Sequence, residues 1–460
     1  MAPQTDSITE ERTSVKNTKI LDVERPFEYD ELFFSVTDKK SKILFANEVF
    51  IRISGYKTDE IIGKLHKVIR HPDMPRSVFK IFWDHLNESK PVAAYVKNRA
   101  KDGSYYWVMA LAYPCEAGYL SIRLKPGSEL FSEVKAIYKK VLTFEKEKEA
   151  ELGKRRGMNE AEEYLNSILN EHGFDSYDDF MWKALETEMR NREKELDKEK
   201  IQSVLLDGDV PPAQIELQNL LGNLFTRLES IERLQEVLIE NSNYMLELAR
   251  SIFKLSLNAQ IGASKLSNDY SISTIAQNMG KQSQKGEVEL NQIQDIVKDL
   301  NKLLIGLNFD IISSKLQVEM TNNFLLEMSS DDEGDAFITN QLLGIEEAEK
   351  ILVNGYKDRM DSIIEGIAEL PKNLRGLRTQ IIKIERFLHV LRYIKTTGKI
   401  EIAKMGENAK TFVTTFEDLI QEVDDAQDKL DKLSDIIFDN EQTVDQYLVI
   451  KNRLNKLNLS

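Results

Sequence analysis

The run Val92-Ala93-Ala94-Tyr95-Val96-Lys97-Asn98-Arg99-Ala100-Lys101-Asp102-Gly103-Ser104-Tyr105-Tyr106-Trp107-Val108-Met109-Ala110-Leu111-Ala112-Tyr113 decides the fold of the first part of this chain. Two strand-length segments rich in aromatic and β-branched residues flank Asp102-Gly103, a dipeptide that favours a tight turn. Working outward, Tyr119–Leu124 alternates Leu120, Ile122 and Leu124 with polar partners and reads as a third strand. Upstream, Leu32–Thr37 and Ile43–Ala46 are short apolar runs around the polar turn Asp38–Lys42. Short helices are expected between the two sets, over Asn47–Ser54, over Thr58–Ile62 with Thr58 as cap, and over Ser77–Asn87. The fold class is therefore α+β: a five-stranded antiparallel sheet with short helices on one face and a cavity between them.

Composition bounds the rest. The 460 residues hold material for two to four domains, and a net charge of -15 without a basic stripe excludes a general nucleic-acid binder. The single cysteine, Cys115, excludes a disulfide framework and fits a reducing compartment. No apolar run reaches the ~18 residues of a membrane span, and the N-terminus shows no secretory signal, so a soluble cytoplasmic protein is expected. Seven of the ten prolines precede residue 127, which suggests a compact mixed domain followed by long helices.

Arg70-His71-Pro72-Asp73-Met74-Pro75 concentrates a guanidinium, an imidazole and a carboxylate in a loop that two prolines pre-shape. Such a loop suits the rim of a ligand pocket. Taken singly, its residues and neighbours have plainer readings: Arg70 and Asp73 as an ion pair, Trp83 as core, Asn47 as a helix cap.

The set Asn47…Ile53-Ser54-Gly55-Tyr56…Ile69-Arg70-His71-Pro72-Asp73-Met74-Pro75…Phe82-Trp83…Val96-Lys97-Asn98-Arg99…Lys101-Asp102-Gly103…Tyr106-Trp107-Val108 resembles the PAS sensor domains of the bacterial aerotaxis transducers (Aer type), over about residues 32–125. The resemblance implies a bound FAD whose redox state is read as a proxy for respiration, with Asn47, Arg70, His71, Asp73, Trp83 and Asn98 as cofactor-binding positions. The side-chain chemistry is compatible. Phe79, Trp83 and Trp107 offer aromatic walls, Asn47 and Asn98 carry donors and acceptors, the Arg70 fork suits a pyrophosphate, and His71 titrates near neutrality. Haem is the competing cofactor, with His66, His71 or His85 as axial ligand.

Beyond the sheet, residues 128–211 read as a charged helical connector. Arg155-Arg156-Gly157 reads as a break, Gly173–Phe180 as a turn into another helix, and Met189–Lys200 as a solvated face. After Pro211-Pro212, a seam from Leu217 through Leu221, Leu224, Leu228 and onward to Leu266 repeats over about seven heptads, as in a dimeric coiled coil. Leu255–Asn268 with Ile275–Met279 resembles the signalling hairpin tip of methyl-accepting chemotaxis proteins. Gly262, Lys265 and Asn268 replace that family's Glu, Arg and Glu, so its kinase-contact residues do not carry over. Further seams follow at Ile293–Ile311, Ile381–Leu391 and Phe412–Ile437. An acidic loop at Ser329–Asp335 precedes helices expected over Phe337–Glu369, Leu374–Tyr393 and Ile402–Leu457.

The expected domains are a flexible lead (1–25), a PAS sensor (26–127), the connector (128–211), a chemoreceptor-like coiled-coil hairpin with a degenerate tip near 255–280 (212–330) and a C-terminal helical bundle (331–460). The expected function is a cytoplasmic redox or energy sensor that binds FAD and signals through a dimeric helical region, without enzymatic activity. Its expected partners are a second copy and a chemotaxis coupling protein or histidine kinase. The alternatives are a cofactor-free PAS and coiled-coil scaffold, or a haem-PAS oxygen sensor. No metal-ligand cluster, phosphate-binding glycine loop or nucleophile–base pair stands out in the sequence.

Overall fold

The computed structural model describes residues 19–198, 210–265, 270–329, 340–405 and 445–457, with short pieces between 424 and 435. Its contacts group into two units, one of Met1–Gly222, Phe309–Asp361 and Leu457–Ser460, the other of Asn223–Asn308 and Ser362–Lys456.

The first unit contains the sheet. In chain order come β1 (Phe33–Thr37), β2 (Ile43–Ala46), α1 (Glu48–Ser54), α2 (Thr58–Ile61), a 3-10 turn (His66–Ile69), α3 (Arg76–Asn87), β3 (Val92–Arg99), β4 (Tyr105–Cys115) and β5 (Gly118–Leu124). The strands lie in the order β2-β1-β5-β4-β3, each neighbour antiparallel. This is the expected α+β class and a PAS fold. At Gly118 (φ 146°) an added Cβ would sit 2.3 Å from the Thr37 carbonyl oxygen, so glycine alone lets β5 start against the end of β1. The Asp102-Gly103 turn forms as read, with Asp102 Oδ1 accepting from the Ser104 amide at 3.0 Å.

The two-residue period of the strands separates two faces. Ser35, Val96, Asn98, Ala110, Ser121 and Arg123 point to the side of α3 and line a cavity. Phe34, Tyr95, Trp107 and Tyr113 point the other way and are covered by helices. There α4 (Glu129–Leu152) and α6 (Tyr177–Lys198) lie on the sheet, whereas α5 (Lys154–Glu171) packs on α4 and α3, with Glu162 paired to Lys80. Phe131 stacks on Tyr95 (5.5 Å) and meets Trp107 edge-on (5.4 Å). The Phe324 ring stands edge-on to Phe34 and Phe45, at 5.1 and 5.6 Å. The Arg359 guanidinium lies 4.2 Å over Tyr113.

Several local expectations change. Lys57, not Thr58, occupies the N-cap of α2. The break expected at Arg155–Gly157 falls at Gly153 (φ 83°), and Gly157 is inside α5 because its missing Cβ admits the Glu149 backbone. Met189–Lys200 is not one solvated face: Met189 and Arg192 are buried, the guanidinium satisfied by Tyr29 O (2.7 Å) and Glu319 (2.6 Å). The described end of the N-terminal lead is pinned, with Leu21 donating to Gly103 O and Arg25 to Tyr105 O.

Three long helices, α7 (Pro212–Lys265), α8 (Tyr270–Ser329) and α9 (Ile345–Met405), make up most of the remainder. The break expected near Pro371 is absent, and α9 runs through it with Leu370 and Leu374 buried on either side. In the second unit the core includes Leu224, Leu300, Leu304, Ile363, Ile367 and Tyr447, whose hydroxyl donates to Arg227 O (2.9 Å). Leu217, Leu221 and Leu224 of the expected seam are buried. Its side chains from Leu228 onward lie outside the described residues, as do Leu266–Asn268 of the tip, most of the acidic loop and the Phe412–Ile437 seam. Among the described residues, no helix is long and apolar enough to cross a membrane.

Candidate functional site

The cavity between sheet and helices has a volume of about 350 Å³, within the range of small-molecule sites. Helix α3 supplies Phe79, Phe82 and Trp83 to one wall, and the sheet supplies Asn98, Ala110, Ala112, Ser121 and Arg123 to the other. Trp83 is half-buried and meets Tyr119 edge-on at 5.5 Å. It is a cavity wall more than a core residue.

The six residues nominated from sequence divide evenly. Arg70, Trp83 and Asn98 line the cavity; Asn47, His71 and Asp73 stand behind its walls. Asn98 is 2% exposed, and its Nδ2 has no hydrogen-bond partner among the described residues. A buried amide left unsatisfied is costly unless something else accepts from it. Arg70 is half-buried, stacks 4.1 Å over Phe79 and donates to Met74 O at 3.3 Å. It does not pair with Asp73. That carboxylate instead accepts from Lys97 Nζ at 2.9 Å, which ties the loop to the end of β3.

His71 is fully buried, and its Nδ1 accepts from the Asp73 amide (3.1 Å). Burial first and Lys97 next lower its pKa to about 4, so the ring is neutral rather than titrating near pH 7. Asn47 sits at the N-cap of α1 without capping it. Its Oδ1 accepts from the Phe34 amide (3.0 Å) and its Nδ2 donates to Glu327 (2.9 Å), so it clamps β1 to the 309–329 segment. Trp107 faces the opposite side of the sheet and supplies no cavity wall. Of the candidate haem ligands, His85 is engaged through both ring nitrogens, by Ile81 O and Asp178. His66 lines the cavity with Nε2 accepting from Arg123 at 2.7 Å.

Two residues that sequence reasoning missed complete the site. Arg123 is a 2%-exposed guanidinium at the cavity, bonded to Ser35 Oγ (3.0 Å) and Ser121 O (3.2 Å). In the alternation of β5, Arg123 falls with Tyr119 and Ser121 on the polar set, which in the sequence reads as the solvent face. Glu145 of α4 is buried, and its two oxygens accept from the Arg76 and Ser77 amides (2.8 Å each). A carboxylate at a helix N-terminus complements its dipole and orphan N–H groups. It joins α4 to α3, the helix that carries Phe79 and Trp83, and Arg76–Glu149 (2.5 Å) adds a second tie. Nothing in the sequence distinguishes Glu145 from the other charges around it. Among the described residues no cluster of His, Cys, Asp or Glu is arranged to hold a metal ion.

Comparison with known proteins agrees with this geometry. Residues 43–118 match the PAS fold family model. The chain is 40% identical over 119 residues to the aerotaxis receptor of Escherichia coli K12, covering 25% of this chain and 24% of that receptor. It is 28% identical over 74 residues to the nitrogen fixation regulatory protein of Klebsiella pneumoniae, covering 16% of this chain and 15% of that protein. Among solved structures, the light-state blue-light photoreceptor Aureochrome1 LOV is 23% identical with a TM-score of 0.20, over 22% of this chain and 86% of its own. The chain spans about a quarter or less of the two curated relatives, and within that shared span residues 43–118 match the PAS fold.

Proposed function

We propose that this protein is a cytoplasmic redox or energy sensor that binds FAD in its PAS domain and transmits the flavin's state through its helices, as a dimer and without catalysing a reaction of its own. The observation that carries the reading is the cavity of about 350 Å³ walled by Phe79 and Trp83, with the unpartnered Asn98 amide in it. A planar aromatic ligand with carbonyl acceptors meets both needs. Similarity to the aerotaxis receptor over the PAS region supports the choice of flavin. Phe79 and Trp83 would flank the ring, Asn98 would donate to its polar edge, and Arg70 would meet the phosphates. His71, Asp73 and Asn47 position the loop and β1 rather than touching the ligand.

When bound, the flavin supplies a redox-dependent charge; the protein's part is to convert it into motion. Helix α3 carries the cavity wall at one end of its first turns and holds Glu145 of α4 at its N-terminus. A shift of α3 changes the strength of those amide–carboxylate bonds, and with them the packing of α4. Two packings separated by a few kcal/mol suffice for a switch. A chemotaxis coupling protein or histidine kinase is the proposed recipient. An absorption spectrum of the purified full chain, followed by titration with FAD, tests the reading. A colourless preparation that takes up no added FAD sinks it.

A further inference from the structure

We propose that the solvent face of α9 over Arg375–Ile400 is a self-association surface that docks on the acidic stripe Asp424–Asp435 of a second copy. This rests on the dimer part of the reading above and is independent of the flavin.

Helix α9 buries Leu374, Leu377, Ile381 and Leu388 along one stripe. Its other face exposes Arg375, Arg378, Ile382, Arg386, Tyr393 and Ile400, set apart by three- and four-residue steps or their sum. Tyr393, at 73%, is the most exposed large hydrophobic among the described residues, and Ile400 and Ile382 follow at 54% and 41%. The arginines form no run in the chain; helical spacing gathers them, so the sequence reads without a basic stripe. The described pieces of the C-terminal segment carry the opposite sign. Asp424, Asp428, Asp431 and Asp435, again three and four residues apart, are exposed. Lys429 leaves that stripe and lies 3.6 Å over the Tyr244 ring of α7.

The two stripes also stand at one level. An added Cβ at Gly286 would meet the Phe387 ring, and one at Gly366 would meet Leu307, so α8 and α9 run antiparallel. Lys429 on Tyr244 and the Tyr447 hydroxyl on Arg227 O set the C-terminal segment antiparallel to α7. Following α7 from Tyr244 to its end and returning along α8 by the same length reaches Asn291, which faces the level of Ile382. Ile382 is therefore level with Lys429, and Arg375–Arg386 with Asp424–Asp435. Because the two stripes run in opposite directions, a two-fold axis along the helices places each α9 antiparallel to the acidic stripe of the other copy, and the contact forms twice. Docking takes Ile382 and Tyr393 out of water, while the charges fix the register. An anionic membrane would also suit arginines beside an aromatic ring. A stripe of matching length, spacing and level on the same chain favours a second copy.

The test uses the full chain, sized by analytical ultracentrifugation. One paired variant is Arg375→Glu with Arg386→Glu, the other Asp428→Arg with Asp431→Arg. Each alone should weaken the dimer at least ~10-fold, because its altered contacts become like-charged. Mixed together, the two should form a heterodimer, since every altered contact then joins opposite charges. Should a reversed pair fail to fold, Arg375→Gln with Arg386→Gln removes the same charges and should erase most of the dimer's salt dependence. If both reversed variants dimerise like the wild type, or if they are folded monomers that do not recombine, the interface is overturned while the dimer reading survives. If the α9 variant instead loses binding to phosphatidylglycerol vesicles with its self-association unchanged, the face meets a membrane and the proposal is likewise overturned. A wild-type chain that stays monomeric ends both the dimer reading and the proposal.

Discussion

The two faces of the five-stranded sheet are built on opposite terms. On the outer face, buried polar groups have been brought together until they match. Glu188 of α6 accepts from Tyr95 Oη (2.8 Å), Gly127 N (2.7 Å), Ser128 N and Ser128 Oγ, so one carboxylate joins β3 to the start of α4. Aromatic rings fill the rest, with Phe131 on Tyr95 and Trp107, and Phe324 against Phe34 and Phe45. On the inner face, among the described residues, Arg123 has no counter-ion and Asn98 Nδ2 no acceptor, beside an open volume of about 350 Å³. The outer face pairs its buried polar groups, and the inner face leaves polar groups unpaired beside open volume, as the proposed ligand site requires. Substitutions on the two sides should therefore fail in different ways.

The largest effect is expected outside. Phe324→Ala removes a fully buried ring from between Phe34 and Phe45 and should destabilise the first unit by ~3–5 kcal/mol. Chemical denaturation followed by far-UV circular dichroism measures it, and ligand affinity of the folded protein should stay within about twofold (~0.4 kcal/mol). A cost near zero would mean that the 309–329 segment does not rest on the sheet. Inside, Trp83→Ala should reverse the pattern. The side chain is half-buried and lines open space, so the stability loss should stay below about 2 kcal/mol, while FAD affinity falls at least ~10-fold. If Trp83→Ala costs as much stability as Phe324→Ala, Trp83 is core and the contrast between the faces is lost.

The faces also differ in how far the sequence reveals them. Strand alternation in Tyr119–Leu124 and the Asp102-Gly103 turn are local signals, and they placed β3, β4 and β5 correctly. They do not say which face meets a cavity, so Trp107 was expected on the wrong side. Arg70, Trp83 and Asn98 were legible as cavity residues through the resemblance to the aerotaxis transducers; taken singly, Trp83 reads as core and Arg70 as a partner of Asp73. Asn47 was legible as important but not for its reason: its partners Phe34 and Glu327 lie 13 and 280 positions away. Glu145 and Glu188 sit in lysine- and glutamate-rich helices, where composition predicts solvent. Their burial depends on amides and hydroxyls that only the folded chain brings to them. Gly157 was read as a helix break because glycine also ends helices, whereas here it allows close packing inside one.

The smallest effect concerns the clamp between the faces' common strand and its cover. Glu327 accepts from Asn47 Nδ2 and from the Glu48 amide, at the point where the 309–329 segment meets β1. Burial raises its pKa from 4.5 to about 7, with those two donors opposing and the Glu48 carboxylate adding to the rise. A carboxyl whose folded pKa is raised stabilises the native state fully below its unfolded value and loses that contribution as pH rises through about 7. Glu319, on the same segment, has the opposite sign. Burial opposes its ionisation, but Lys315 and Arg192 hold it down to about 2, so its contribution is complete above pH 4.5 and flat from there upward. Asp310, raised to about 6 by burial, adds to the Glu327 trend. The docked segment should thus loosen by on the order of 1–2 kcal/mol between pH 5.5 and 8, once screening at a partly exposed group is allowed for. Hydrogen exchange at the Phe34 and Glu48 amides, corrected for the intrinsic rate at each pH, reads this directly. Glu327→Gln should remove most of the slope and leave the share of Asp310. Protection that holds constant across the range in the wild type would show Glu327 ionised throughout, leaving the segment held by Phe324 and the Arg192–Glu319 pair alone.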